Sequence, residues 1–197
     1  MKKLLMLSLL CILSLAGCSS KKDDVLKPCD AEDGNCVSDI ESAKDIDMSA
    51  YEGFDDKEHA YKEISLKDSL DIIKDKKSAV VYYGFPKCPW CIEIVPILNE
   101  VAKENKITVY YVNTRLEENM DETQKGELVE ILKDYLETND EGNPHLYVPD
   151  VYVFKDGKVL DHHLGTVDGH DAHERKITDE EKQQVKETYQ KMIEKLK

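Results

Sequence analysis

Hydrophobic and polar positions divide the 197-residue chain into three stretches of different character. Leu4 to Leu15 is a short, nearly continuous apolar run. From Ser19 to about Glu58, in "SSKKDDVLKPCDAEDGNCVSDIESAKDIDMSAYEGFDDKE", acids dominate and apolar residues are scattered. Neither period two nor period 3.6 is sustained there, so the pattern predicts a flexible acidic tether. From Ala60 onward the periodicities become regular. "AYKEIS" (60–65) predicts a short strand. Ser65 and Asp68 form an S-x-x-D capping signal for a helix to about Lys76, with Leu66, Leu70 and Ile73 on one face. "SAVVYYG" (78–84) is β-branched and aromatic and reads as a buried strand. Pro89 to about Asn105 reads as a helix, and "KITVYYVN" (106–113) as a second buried strand. Asp121–Thr138 places Leu128, Ile131, Leu132 and Tyr135 at helical spacing. Val151–Gly165 predicts a hairpin turning at Asp156-Gly157, and Thr178 with Glu181 opens a last helix that turns Val185, Tyr189, Ile193 and Leu196 inward.

The predicted order is β-α-β-α-β-α-β-β-α. Strand–helix–strand units require parallel pairing and the hairpin adds antiparallel strands, so an α/β domain follows: a mixed central sheet with helices on both faces. No internal repeat is visible.

Composition narrows the function. The 41 acidic against 27 basic residues give a net charge of −14, which argues against nucleic acid, since phosphate binding needs clustered Lys and Arg. Lys2 and Lys3 before the apolar run make a cleavable export signal, the run being too short for a ~30 Å bilayer core. "LAGC" (15–18) resembles the lipobox of bacterial lipoproteins, which makes Cys18 the lipidated new N-terminus. Three regions follow: a lipoprotein signal peptide (1–17), lipidated Cys18 with the tether (18–58), and a globular domain (59–197). The mature chain keeps 25 basic and 41 acidic residues, a charge of −16. A coil of about 40 residues has an r.m.s. span of roughly 35 Å, so the domain works near the extracytoplasmic face of a membrane.

Export changes how cysteines are read. Cys11 leaves with the signal, and Cys29, Cys36, Cys88 and Cys91 remain outside the cytoplasm, where pairs are usually redox-linked. Cys29 and Cys36 form either a local disulfide, whose eight-residue loop restrains the unfolded chain by only ~2.5 kcal/mol, or a pair that shuttles electrons to Cys88 and Cys91. A zinc site built from both pairs fits poorly, because the x₆ spacing of Cys29 and Cys36 is not that of a zinc knuckle.

In "YYGFPKCPWCIEIVPIL" (82–98), Cys88 stands at a strand-to-helix junction with Pro89 at the first helical position. Unpaired amides and the macrodipole favour an anion there, and Lys87 pushes the same way, so Cys88 is expected to be an exposed thiol of lowered pKa. Cys91, one turn on, is the more covered, resolving sulfur. Trp90, the single tryptophan, is expected to shield the pair and contact substrate. Pro96 interrupts the helix, and Pro149 opens a strand in "HLYVPDVYVFKDGKV". "DHHLGTVDGHDAHE" gathers His162, His163, His170 and His173 in a Gly- and Asp-rich loop, where solvated histidines are expected and a weak metal site is the rival reading.

With "CPWC" after a strand, Pro96 five residues beyond it and a proline before "VFKDGK", the region from Ala60 to Lys197 resembles the thioredoxin superfamily. The resemblance implies that Val148–Pro149 is cis and faces the disulfide, that Cys88 is the nucleophile and Cys91 the resolving thiol, and that Val148 and Pro149 form a wall where an extended peptide pairs. Thioredoxins carry Gly-Pro between the cysteines, where this chain has Pro89-Trp90. They also keep a buried acid six residues before the first cysteine, where this chain has Tyr82; Glu93 or water are then the candidates for proton transfer. The lipobox, acidic tether, "YYGFPKCPWC" and His-containing insert look most like exported thioredoxin-like lipoproteins of Gram-positive bacteria, some of them named bacteriocin transport accessory proteins. The implied activity is a membrane-anchored, monomeric thiol–disulfide oxidoreductase acting on exported protein or peptide thiols and disulfides. It needs a redox partner protein and uses no metal or organic cofactor. The rival reading is a non-catalytic accessory module of a secretion or peptide-export apparatus, with the fold kept as scaffold.

Overall fold

The computed structural model describes residues 37–197; the signal segment, Cys18, Cys29 and Cys36 lie outside the described residues. Six strands form one sheet: β1 (Lys44–Asp45), β2 (Tyr61–Glu63), β3 (Ala79–Gly84), β4 (Val109–Asn113), β5 (Asp150–Lys155) and β6 (Lys158–Leu164), in the spatial order β1-β2-β4-β3-β5-β6. The pairs β2/β4 and β3/β4 are parallel and the other three antiparallel, the mixed sheet expected from the pattern. β3 is buried along its whole length, since helices cover both faces. On one side α1 (Leu66–Lys74) packs with α3 (Glu122–Leu132); on the other α2 (Pro89–Asn105) packs with α4 (Asp179–Glu194).

Local chemistry sets the element ends. Ser65–Asp68 and Thr178–Glu181 both close full capping boxes. Asp156 and Gly157 take φ of 52° and 72° in the β5–β6 turn, the left-handed pair that a two-residue hairpin needs. A side chain at Gly157 would also meet the Ile73 carbonyl, 2.2 Å from an added Cβ.

Three expectations are corrected. The third helix, expected to run to Thr138, ends at Leu132, and of the four apolar residues at helical spacing Ile131 and Tyr135 are 38% and 40% exposed; only Leu128 and Leu132 enter the core. On α1, Ile72 rather than Ile73 is fully buried. The stretch 37–58, assigned to the tether, packs against the domain: Val37, Ile40, Met48, Tyr51 and Phe54 are all buried. Ser38 exchanges bonds with Ser78 (N–H to carbonyl 2.7 Å; Ser78 N–H to Oγ 3.0 Å), and β1 pairs with β2 and covers that edge. These apolar residues join the single core one at a time from irregular backbone, which is why no period marks them.

Candidate active site

Cys88 is the N-cap of α2. Its extended backbone (φ −78°, ψ 120°) turns Sγ back over the helix start, where it accepts from the Cys91 N–H at 3.3 Å. Pro89 fills the first helical position, where a missing N–H costs nothing. The helix continues through Pro96, and the Val95 carbonyl accepts from the Tyr61 hydroxyl at 2.7 Å.

The two thiols are electrostatically opposite. Cys88 is held below its ordinary thiol value by the hydrogen bond from Cys91, then by the Cys91 and Trp90 amides and by the Arg115 cation, against a contrary push from burial. Cys91 is driven far above the thiol range, first by burial and then by sharing its hydrogen bond with Cys88. Both sulfurs are free. Cys88 is only 4% exposed, less than its expected role implied, and Cys91 is fully buried, so the charge environment distinguishes them more than exposure does. Arg115, stacked 4.8 Å over Phe85, is the cation that favours the thiolate, the role that adjacency alone gave to Lys87. It lies 27 residues from Cys88, but it is one of only two arginines in the chain, and that rarity was a usable signal.

Across the groove, the Cys88 thiol faces the Val148 carbonyl at 3.7 Å, and the Val148–Pro149 peptide is cis. This is a thioredoxin fold. In it, β3 delivers the cysteine helix and β5 delivers the proline, and their antiparallel pairing, with Tyr83 opposite Asp150, brings the two together. A groove of about 410 Å³ opens beside Val148, lined by Leu66, Thr114, Arg115, Leu128 and Leu146 among others.

Trp90 is half-buried: its indole N–H donates to the His170 carbonyl at 3.4 Å and its ring meets His173 edge-on at 4.8 Å. The histidines expected in solvent are therefore divided. His173 is exposed, but His170 is buried with Nε2 2.5 Å from Glu93 Oε2. His163 binds the Thr166 carbonyl at 2.7 Å and packs on Tyr189, and His162 pairs with buried Asp150. Among the described residues no three His, Cys, Asp or Glu side chains converge as metal ligands. Glu93 is committed as well, because its other oxygen accepts from the Ile177 N–H at 2.8 Å. No helix of the described residues is long and apolar enough to cross a membrane.

No family model matches the chain. Solved structures similar to it include thioredoxin O2 from Arabidopsis thaliana in the oxidised state, 15% identical over 61% of this chain and 91% of that one, with a TM-score of 0.38. Thioredoxin O1 from the same plant is 18% identical over 58% and 90%, TM-score 0.36. The thioredoxin of Plasmodium falciparum is 20% identical over 64% and 97%, TM-score 0.37.

Proposed function

We propose that the chain is an extracytoplasmic thiol–disulfide oxidoreductase, held to the membrane through lipid on Cys18 and exchanging disulfides with exported proteins or peptides through Cys88 and Cys91. The narrower kinship proposed is with the exported thioredoxin-like lipoproteins of Gram-positive bacteria. One observation carries the reading: an acidified Cys88 sulfur and a buried, non-acidic Cys91 lie in one helical turn, facing the Val148 carbonyl. Such an asymmetric pair serves exchange, because the thiolate is the nucleophile and the second thiol must wait.

In the reducing direction the Cys88 thiolate attacks a substrate disulfide, forming a mixed disulfide and releasing one substrate thiolate, which takes a proton. Cys91 then loses its proton and attacks Cys88 Sγ. The Cys88–Cys91 disulfide forms, the second substrate thiol leaves, and two electrons have passed to substrate. Oxidation runs the same steps backward, and the two sulfurs are the whole redox centre, with no metal or organic cofactor. The Val148 wall and the adjoining groove take the extended segment around the substrate cysteine, and Trp90 touches it from between the two cysteines. A redox partner protein resets the pair, and one copy of the chain suffices.

The test is disulfide exchange with a model protein disulfide. Cys88→Ser is expected to abolish it, and Cys91→Ser to accumulate mixed disulfides through Cys88 that are visible by mass spectrometry. Undiminished exchange by Cys88→Ser ends the assignment.

A further inference from the structure

Attack by Cys91 requires a proton to leave a sulfur that is fully buried and whose thiol form is strongly favoured. Glu93 is turned to other partners, its two oxygens binding His170 Nε2 and the Ile177 N–H. Behind Cys91, however, three tyrosine hydroxyls form one chain. The Tyr51 hydroxyl lies 3.1 Å from that of Tyr82 and donates to that of Tyr111 at 3.0 Å. None of the three residues is more than 1% exposed. Tyr82 and Tyr111 are register partners on β3 and β4, stacked at 5.3 Å, and Tyr51 descends onto them from the N-terminal segment. The Tyr82 hydroxyl stands beside Gly84, at the end of β3 that leads into the cysteine helix, and its hydrogen bonding works to lower the Cys91 value against burial. Space for it exists because residue 84 is glycine: an added Cβ would stand 2.1 Å from the Tyr82 oxygen.

Burial raises all three phenols above their ordinary range, so none is ionised at neutral pH and none is a base by itself. A hydroxyl has one proton and two lone pairs, so a row of them conducts by handing protons along. In the thiol state Cys91 donates to Tyr82, Tyr82 to Tyr51 and Tyr51 to Tyr111. After one shift along the row, every hydroxyl points back, and Tyr82 donates to the Cys91 thiolate. Beside the Tyr111 end stands Glu63, its register partner on β2; it is half-buried, and its carboxyl is held above the usual range by burial and by Glu118.

We propose that Tyr82, Tyr51 and Tyr111 form the proton route of Cys91, with Tyr82 on the reacting sulfur, Tyr51 and Tyr111 acting through it, and Glu63 exchanging the proton with water. Each hydroxyl gives one proton and receives one, so the phenols are unchanged, Cys91 becomes thiolate and Glu63 becomes acid. The inference rests on the exchange reaction proposed above.

The experiment separates the two. In the full chain with Cys11, Cys18, Cys29 and Cys36 replaced by serine, 5,5′-dithiobis(2-nitrobenzoate) gives one chromophoric thiolate when Cys88 attacks and a second when Cys91 resolves the mixed disulfide. Stopped-flow absorbance reads both. If the second release does not occur in the otherwise unaltered protein, the functional reading and this inference both fall. If it occurs, Tyr82→Phe and Tyr51→Phe are expected to leave the first release unchanged and slow the second at least about tenfold. In both variants the slow step becomes proportional to hydroxide, because water must now collect the proton. Gly84→Ala, which displaces the Tyr82 hydroxyl while keeping every phenol, behaves as Tyr82→Phe. Tyr61→Phe, whose hydroxyl binds the Val95 carbonyl outside the row, leaves both steps unchanged. Without any substitution, the second release is slowed in D₂O with a curved dependence on deuterium fraction, since several protons move together. A Tyr51→Phe protein with the unaltered rate and pH profile, or a linear deuterium dependence, overturns the proton route and leaves the oxidoreductase assignment standing.

Discussion

Glu93 and His170 are locked together in the interior, Oε2 to Nε2 at 2.5 Å, with the imidazole fully covered. Glu93 also accepts from Ile177 N–H, and Trp90, one turn earlier on the same helix, donates to the His170 carbonyl. The loop after the β5–β6 hairpin is thereby fastened to the first two turns of α2, and the rim of the cysteine site is built by that fastening.

Glu93→Ala follows directly. It strands a covered imidazole N–H and a backbone N–H, each costing about 1–3 kcal/mol when left unpaired. Urea unfolding is expected to show a loss in that range, and the Trp90 emission to move to longer wavelength as the loop lifts. Glu93→Gln keeps an acceptor for Ile177 and costs less. An unchanged midpoint and emission spectrum would mean the clasp holds nothing.

The Cys88 thiol should alkylate with a pH midpoint below that of an ordinary thiol, the direction set by the Cys91 hydrogen bond, the helix-start amides and Arg115. Arg115→Ala is expected to raise that midpoint and slow alkylation by iodoacetamide severalfold at neutral pH. Lys87→Ala, although adjacent in sequence, moves it less. The reverse ranking would restore the adjacency argument.

That contrast explains what the sequence made readable. Cys88 and Pro89 are legible because each is a local signal, a residue type that suits a helix start, whereas the cis Val148–Pro149 bond is legible only through the family resemblance that Pro96 and the hairpin proline support. β3, β4 and α4 are legible because each builds one continuous face. Arg115, Tyr51 and His170 are not, because their partners Cys88, Tyr82 and Glu93 stand 27, 31 and 77 residues away and no period links them. Ile131 and Tyr135 mislead for the opposite reason: the spacing is helical, but the helix ends at Leu132, before Tyr135, and Ile131 lies off the face that buries Leu128 and Leu132.

Asp150, next to the cis proline, is buried and lies 3.4 Å from His162 Nδ1, and the His162 ring stacks on Tyr152. Asp150 raises the His162 value above its usual range through their hydrogen bond, against some desolvation. A raised histidine stabilises the fold fully below the unfolded value of ~6.5, and that contribution is lost as pH climbs through the folded value. Asp150 is itself raised, chiefly by burial, so its ionisation also works against the fold as pH rises, from above its unfolded value upward. Stability measured by urea unfolding should therefore begin to fall above about pH 4 through Asp150 and fall further from about pH 6.5 upward through His162, and His162→Gln should flatten the second part of the decline. A slope identical in His162→Gln and the unaltered chain would assign it to other groups.

Met48 tests whether the N-terminal segment belongs to the domain. It is 1% exposed in a short 3-10 turn (Met48–Ala50), followed by Tyr51. Truncating a fully covered methionine removes its apolar contacts and leaves a cavity, so Met48→Ala is expected to cost about 2–5 kcal/mol in urea unfolding. Ile131→Ala, at a position that the pattern assigned to the core but that stands 38% exposed, should stay within about 0.5 kcal/mol. A solvated tether predicts the opposite order, because a tether residue contributes nothing to stability and an inward helix residue contributes much. Since the same turn hangs Tyr51 over Tyr82 and Tyr111, Met48→Ala should also loosen the hydroxyl row behind Cys91, readable as faster hydrogen exchange of the β3 and β4 amides.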